Sequence, residues 1–247
     1  MGNARSVLRA KDRISGWTLA AAALAVAGCG SIVPAGSGGT ASGQASARGP
    51  ARPAVPAGSA PQSHAPRPDD ARCLADLAAT GARFYPLTDT YDAPECNKLG
   101  TVQLLELAGD RAPLSVSNIG PVWCSVAKAF ADWARFAVDR AARQLLRSPV
   151  VRIETMGSYA CRNVTGTERR SAHARAEAID VSAFLLADGR RIVLKRDWHG
   201  GDAATREFLR VVHKSACKRF GTVLGPGYNA AHEDHFHLEG TGAKFCR

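Results

Sequence analysis

The chain has 247 residues and a formal charge of +10, from 32 lysines and arginines against 22 acidic residues. None of its seven cysteines forms a CxxC pair, which argues against a thiolate metal site. Its longest apolar run, residues 17–28, is too short to span a bilayer.

Arg5, Arg9, Lys11 and Arg13 precede that run, the pattern of a signal peptide over residues 1–28. The run ends in Val26-Ala27-Gly28-Cys29, which resembles the bacterial lipobox. The resemblance implies cleavage before Cys29, lipidation of its thiol and anchoring in a membrane. Gly30 follows the cysteine where many inner-membrane lipoproteins have aspartate, so the expected location is the periplasmic side of the outer membrane. Cleavage removes four basic residues and Asp12, a net +3, and lowers the charge of +10 to +7. That charge suits an anionic partner such as a cell-envelope polymer, and export argues against nucleic acid.

Residues 29–72 are rich in Gly, Ala, Ser and Pro, with seven of the 13 prolines. Such a segment buries too little apolar surface to offset its ordering entropy and reads as a disordered tether. The folded domain is expected over residues 73–247, as a monomer. With Cys29 lipidated, six cysteines remain for an oxidising compartment, which reads as three disulfides of open connectivity.

Within the domain, a short helical pattern starts at Cys73. The clearest helix covers residues 124–147, where Val126, Phe130, Trp133, Ala137 and Ala141 recur at helical spacing. "VVRIETM" alternates as a strand and leads into the turn-rich "GSYACRNVTG". "AIDVSAFLLADGRRIVLKRDW" reads as two strands joined at Asp188-Gly189. Helical spacing returns over residues 203–220, and a last strand carries "HEDHFHLE" at 232–239. The expected fold is a single α+β domain, a small antiparallel sheet flanked by helices and stapled by disulfides.

The histidines raise the question of function, because a core strand has no reason to concentrate imidazoles. Alternation puts His235 and His237 on one strand face and Phe236 on the other. In "SAHARAEAID", Ile179 and Val181 face the core, so Asp180 faces the other way, and His173 lies seven residues before it. If the two strands are neighbours, these groups converge. Two imidazoles and a carboxylate suit zinc with its fourth position open, the catalytic arrangement.

H-x6-D followed by H-x-H resembles the superfamily of lysostaphin, D-Ala-D-Ala peptidases and Hedgehog. "SAHARAEAID" is similar to its S-x-H-x-x-G-x-A-x-D pattern, with Ala176 in the glycine's place. His232, His235 and His237 match the H-x-x-H-x-H of murein endopeptidases. The run from Cys73 to Cys246 resembles the bacterial extensin-like C-terminal domain family, through "GSYACR", "HARAEAIDV", "FLLADG", "VLGPGYNAAHEDHFHLE" and the cysteine positions. The superfamily resemblance implies a metallopeptidase-like domain with His173, Asp180 and His237 as zinc ligands. It implies catalytic or supporting roles for His235, Asp234 and His232, and substrate-oxygen binding by Arg162.

Amide hydrolysis needs an activated water, a polarised carbonyl and a proton for the leaving amine. His235 or Asp234 suits the proton transfer, and an arginine suits a carboxylate or oxyanion. The expected activity is zinc-dependent cleavage of peptide bonds in peptidoglycan. The competing expectation is a wall-binding or scaffolding lipoprotein whose metal is structural. A base beside a three-ligand set favours the enzyme, since a structural site needs no base.

Overall fold

The computed structural model describes residues 68–240 and 244–247. The signal segment, Cys29 and nearly all of the expected tether lie outside the described residues. Helix α1 (Pro68–Ala79) opens with Asp69 and Asp70 in its first turn, where carboxylates favour the helix dipole. It takes in residues 68–72, which the sequence reading assigned to the tether, so Cys73 lies inside the first helix.

Six strands follow: β1 (Arg83–Pro86), β2 (Thr90–Ala93), β3 (Cys96–Lys98), β4 (Thr101–Ala108), β5 (Pro113–Ser117) and β6 (Pro121–Trp123). Helix α2 (Cys124–Trp133) continues through two stretches of wider, π-type turns, Ala134–Asp139 and Ala142–Leu146. Next come β7 (Val150–Gly157), a 3-10 turn (Ala172–Arg175), β8 (Ala178–Leu186), β9 (Arg191–Val193), α3 (Leu194–Gly200) and α4 (Ala203–Arg219). The chain closes with β10 (Thr222–Leu224), a second 3-10 turn (Ala230–His232), β11 (Phe236–Glu239) and β12 (Phe245–Cys246).

Ten strands form one sheet in the order β1-β4-β5-β7-β8-β11-β10-β12, with β6 on β4 and β9 on β8; β2 and β3 form a separate hairpin. The mixed helix-and-sheet class and the three disulfides agree with the sequence reading. The small antiparallel sheet does not: the sheet is large, and β5–β7 and β10–β12 are parallel. The second strand of the Asp188-Gly189 hairpin also stops early. Asp197 accepts a hydrogen bond from the Val193 backbone at 2.7 Å and turns the chain into α3.

All five residues picked out by spacing in α2 and its continuation are buried. The Trp133 indole donates to the Val212 carbonyl on α4 at 2.9 Å, and Phe184 of β8 meets the rings of Trp133 and Phe208. The helices therefore cover the sheet face that presents Ile179, Val181 and Phe184.

Strict alternation would put Phe184 on the same face as Asp180. A β-bulge resolves the conflict. Glu154 pairs with Ala183 and Thr155 with Val181, so Ser182 has no partner across the ladder and the facing flips there. Phe184 and Leu186 then join Ile179 and Val181 on the helix side, and Asp180 is left on the opposite face.

The disulfides are Cys73–Cys124, joining α1 to α2; Cys96–Cys161, joining β3 to the loop after β7; and Cys217–Cys246, joining α4 to β12. Cys96–Cys161 closes the longest separation, 65 residues. Mass spectrometry of the protein before and after reduction should show six hydrogens gained, and peptide mapping should return these three pairs. Replacing Cys96 and Cys161 together by Ser should cost about 4 kcal/mol on a loop-entropy argument. A cost below about 1 kcal/mol would show that this staple does not constrain the chain.

Ala176, buried and with φ of 55°, ends the first 3-10 turn in the left-handed region that glycine favours. Ala176→Gly trades relief of that conformation against a lost buried methyl and a more flexible unfolded chain, so stability should change by less than about 1 kcal/mol. Ala176→Val should destabilise by more than about 2 kcal/mol, because a branched side chain at positive φ is a strong outlier. Chemical denaturation of the two variants tests the contrast.

Candidate functional site

The strands expected to be neighbours are paired directly. β11 runs antiparallel to β8 with His237 opposite Asp180 and Phe236 opposite Val181. Phe236 and Val181 fill the core while His237 and Asp180 share the other face. The loop after β7 crosses that face and delivers His173 from the 3-10 turn. The turn is held at several points: Ser171 Oγ accepts from the His173 backbone at 3.4 Å, and the His173 carbonyl accepts from the Ala160 and Ala176 amides, each at 3.1 Å.

His173 Nε2 lies 3.1 Å from Asp180 Oδ2 and 3.2 Å from His237 Nδ1, and His237 Nδ1 lies 2.9 Å from Asp180 Oδ1. All three residues are more than nine-tenths buried. The outer ring nitrogens are occupied. His173 Nδ1 sits 3.1 Å from the Ser158 carbonyl, and His237 Nε2 sits 3.5 Å from Glu239. With a proton on each outer nitrogen, both imidazoles and the carboxylate turn lone pairs inward. Three buried acceptors at this spacing have no donor among themselves, and they call for a cation or for extra protons at the same place.

Electrostatics agree with that picture. Burial would raise the pKa of Asp180, but hydrogen bonds from His173 and His237, and their charges, hold it well below the usual carboxylate range. Burial would lower the pKa of His237, but hydrogen bonding to Asp180 and Glu239 outweighs it and pushes the imidazole up to about 9. The protonated ring takes the role a cation would fill. The donor set of two imidazoles and one carboxylate fits zinc in a site with an open position. A second cluster, His213 with Cys217 and Cys246, has its sulfurs committed to a disulfide.

The structure brings His235 to this centre, just before β11 and buried, with Nε2 3.6 Å from Asp180 Oδ1. Its Nδ1 lies 2.7 Å from Asp234 Oδ1, so the half-buried Asp234 orients the ring. His232 is not on the strand, as the sequence had suggested. It ends the second 3-10 turn, with Nδ1 2.7 Å from Asn229 Oδ1 and its ring 5.2 Å from that of His235. Burial, with the nearby His235 and His237, pushes its pKa down to about 4, so it is neutral at pH 7.

Arg162 does not touch the three inward groups. It lines an open cleft of about 610 Å³ that also reaches His232, His235 and His237. Sequence reasoning missed Ser158 and Glu239, which hold the outer nitrogens, and the cleft residues Arg169, Arg170 and Tyr228. Alternation along β11 puts Glu239 on the face of His237, the one signal in the sequence that points to it.

No curated protein and no solved structure matches the chain. One family profile does: that of the extensin-like protein C-terminus, over residues 71–247. The match spans the disulfides, the sheet and every group of the site, and the chain belongs to the extensin-like C-terminal family.

Proposed function

We propose that the protein is a zinc-dependent hydrolase of peptide bonds in peptidoglycan, with a metallopeptidase-like centre. It would work in the periplasm, anchored to the outer membrane through lipidated Cys29. The observation that carries the reading is a polarised base beside the convergent acceptors: His235, buried and oriented by Asp234, next to His173, Asp180 and His237. A purely structural metal needs no such neighbour.

His173, Asp180 and His237 would hold the ion, and when bound it supplies Lewis acidity that acidifies water and polarises a carbonyl. The chain's own groups do the rest. His235 Nε2 takes a proton from the attacking water while Asp234 holds the opposite nitrogen and stabilises the imidazolium. The same ring returns that proton to the leaving amine. His232, neutral and beside His235, adds a further polar group that does not compete as a cation. Arg162 offers a guanidinium to substrate oxygens from the cleft wall.

Two histidines two residues apart should behave differently. His237→Ala should strip most of the zinc, since His173 and Asp180 alone bind weakly. His235→Ala should retain about one equivalent of zinc and lose about 10²–10⁴-fold in turnover on cross-linked muropeptides. Equal zinc loss in both variants would make His235 a ligand. A zinc-loaded wild type inert on all muropeptides would point to a scaffolding role.

A pH dependence follows from His237. Its folded pKa of about 9 lies above the ordinary value of 6.5, so its ion pairs stabilise the metal-free protein fully below about pH 6.5. That contribution is lost as pH rises through 9. The melting temperature of the metal-free protein should therefore fall between pH 6.5 and 9.5, while zinc affinity rises because fewer protons compete. A flat profile for both would contradict the assignment.

A further inference from the structure

We infer that the cleft beside the metal centre selects substrates bearing at least two carboxylates, gripped by Arg162, Arg169 and Arg170. The inference rests on the hydrolase reading and adds its substrate class. The loop that follows Cys161 folds back on itself. Asn163 and Arg170 pair as an antiparallel bridge, the Val164 amide donates to the Arg169 carbonyl at 2.8 Å, and the Ser171 amide donates to the Arg162 carbonyl at 3.1 Å. This small hairpin brings Arg162 on one arm beside Arg169 and Arg170 on the other. All three line the cleft.

Their charges are not compensated locally. Arg162 is exposed, and its guanidinium meets a neutral carbonyl, that of Asn163, at 3.5 Å. Arg170 Nη1 bonds the Asn163 amide oxygen at 3.0 Å, again a neutral group. Exposed Arg169 forms no ion pair among the described residues. Arg175 also lines the cleft, but its guanidinium is tied to Glu177 at 2.7 Å. Glu239 is the only carboxylate among the described lining residues, and it holds His237. Glu168, on the same hairpin, does not line the cleft.

Three guanidiniums clustered on one hairpin without acidic partners repel one another, and an anion removes that penalty. Planar forks match carboxylates in pairs of parallel hydrogen bonds. Because the cleft ends at groups suited to amide hydrolysis, the anions expected there are carboxylates of a peptide. Two anchored carboxylates would also fix which peptide bond reaches His235.

The test is equilibrium binding to the full-length protein freed of metal, so that no turnover intervenes. The probes are the peptidoglycan stem tetrapeptide with free carboxylates and the same peptide amidated. The free acid should bind at least about 10-fold more tightly, as expected for charge-assisted hydrogen bonds. Replacing Arg169 and Arg170 by Gln should remove most of that difference, leaving only the share held by Arg162, without lowering the melting temperature. Replacing both by Lys, which keeps charge and loses the fork, should recover part of the difference, and Arg206→Gln, outside the cleft, should change nothing. Equal affinity for the two peptides, no binding of either, or unchanged affinity in the glutamine variant would overturn the inference. So would inorganic phosphate binding as tightly as the free acid, which would make the wall a general anion site. Discrimination without turnover in the zinc-loaded protein would sink the hydrolase reading and leave carboxylate recognition standing; turnover without discrimination would do the reverse.

Discussion

Three buried lone-pair donors facing one another at about hydrogen-bond distance cannot satisfy themselves. This constraint governs the molecule around Asp180. A carboxylate and two imidazoles, with their outer nitrogens already occupied, need positive charge at their common centre. Without a metal, a proton on His237 supplies it, and that is why this imidazole stays charged above its ordinary range. A metal bound there would take the place of that proton, with the same three groups as its ligands.

The fold serves that arrangement from both sides. The bulge at Ser182 lets β8 keep its large side chains under the helices while turning Asp180 out to the opposite face. The β8–β11 register then fixes His237 against Asp180, since a slip of one residue would exchange His237 for Phe236. His173 comes from a loop, and loops need restraint. Ser158, Ala160 and Ala176 hold it by hydrogen bonds, and Cys96–Cys161 ties the same loop to the β2–β3 hairpin. That disulfide also precedes the arginine hairpin by one residue, so support for His173 and for the cleft wall runs through one covalent anchor.

How much of this could be read from the chain depended on how local each signal was. The shared face of Asp180 and His237 was legible because side-chain alternation is local, whereas His173 sits in a turn and joined them only through the resemblance of H-x6-D to a known pattern. The helix over residues 124–147 was legible for the same reason, from its apolar spacing. The large sheet was not. Several of its strands between residues 83 and 123 are only three to five residues long, and the parallel pairs join segments far apart in sequence. The bulge at Ser182 was equally hidden, because "AIDVSAFLL" is almost wholly apolar and looks alike in either facing. His232 looked like part of a strand, yet the chain turns at Asn229 and holds it off the ladder. Arg169 and Arg170 read singly as loop charges, and only the hairpin that sets them beside Arg162 makes them a wall.

The central claim is that the three inward groups form a nitrogen- and oxygen-only metal centre. X-ray absorption spectroscopy of the zinc-loaded protein at the zinc edge addresses it most directly. The account predicts one zinc bound by two imidazoles and light oxygen donors, with no sulfur neighbour. A sulfur shell, which would place the ion at Cys217 and Cys246, or failure to retain one equivalent of zinc, would contradict it.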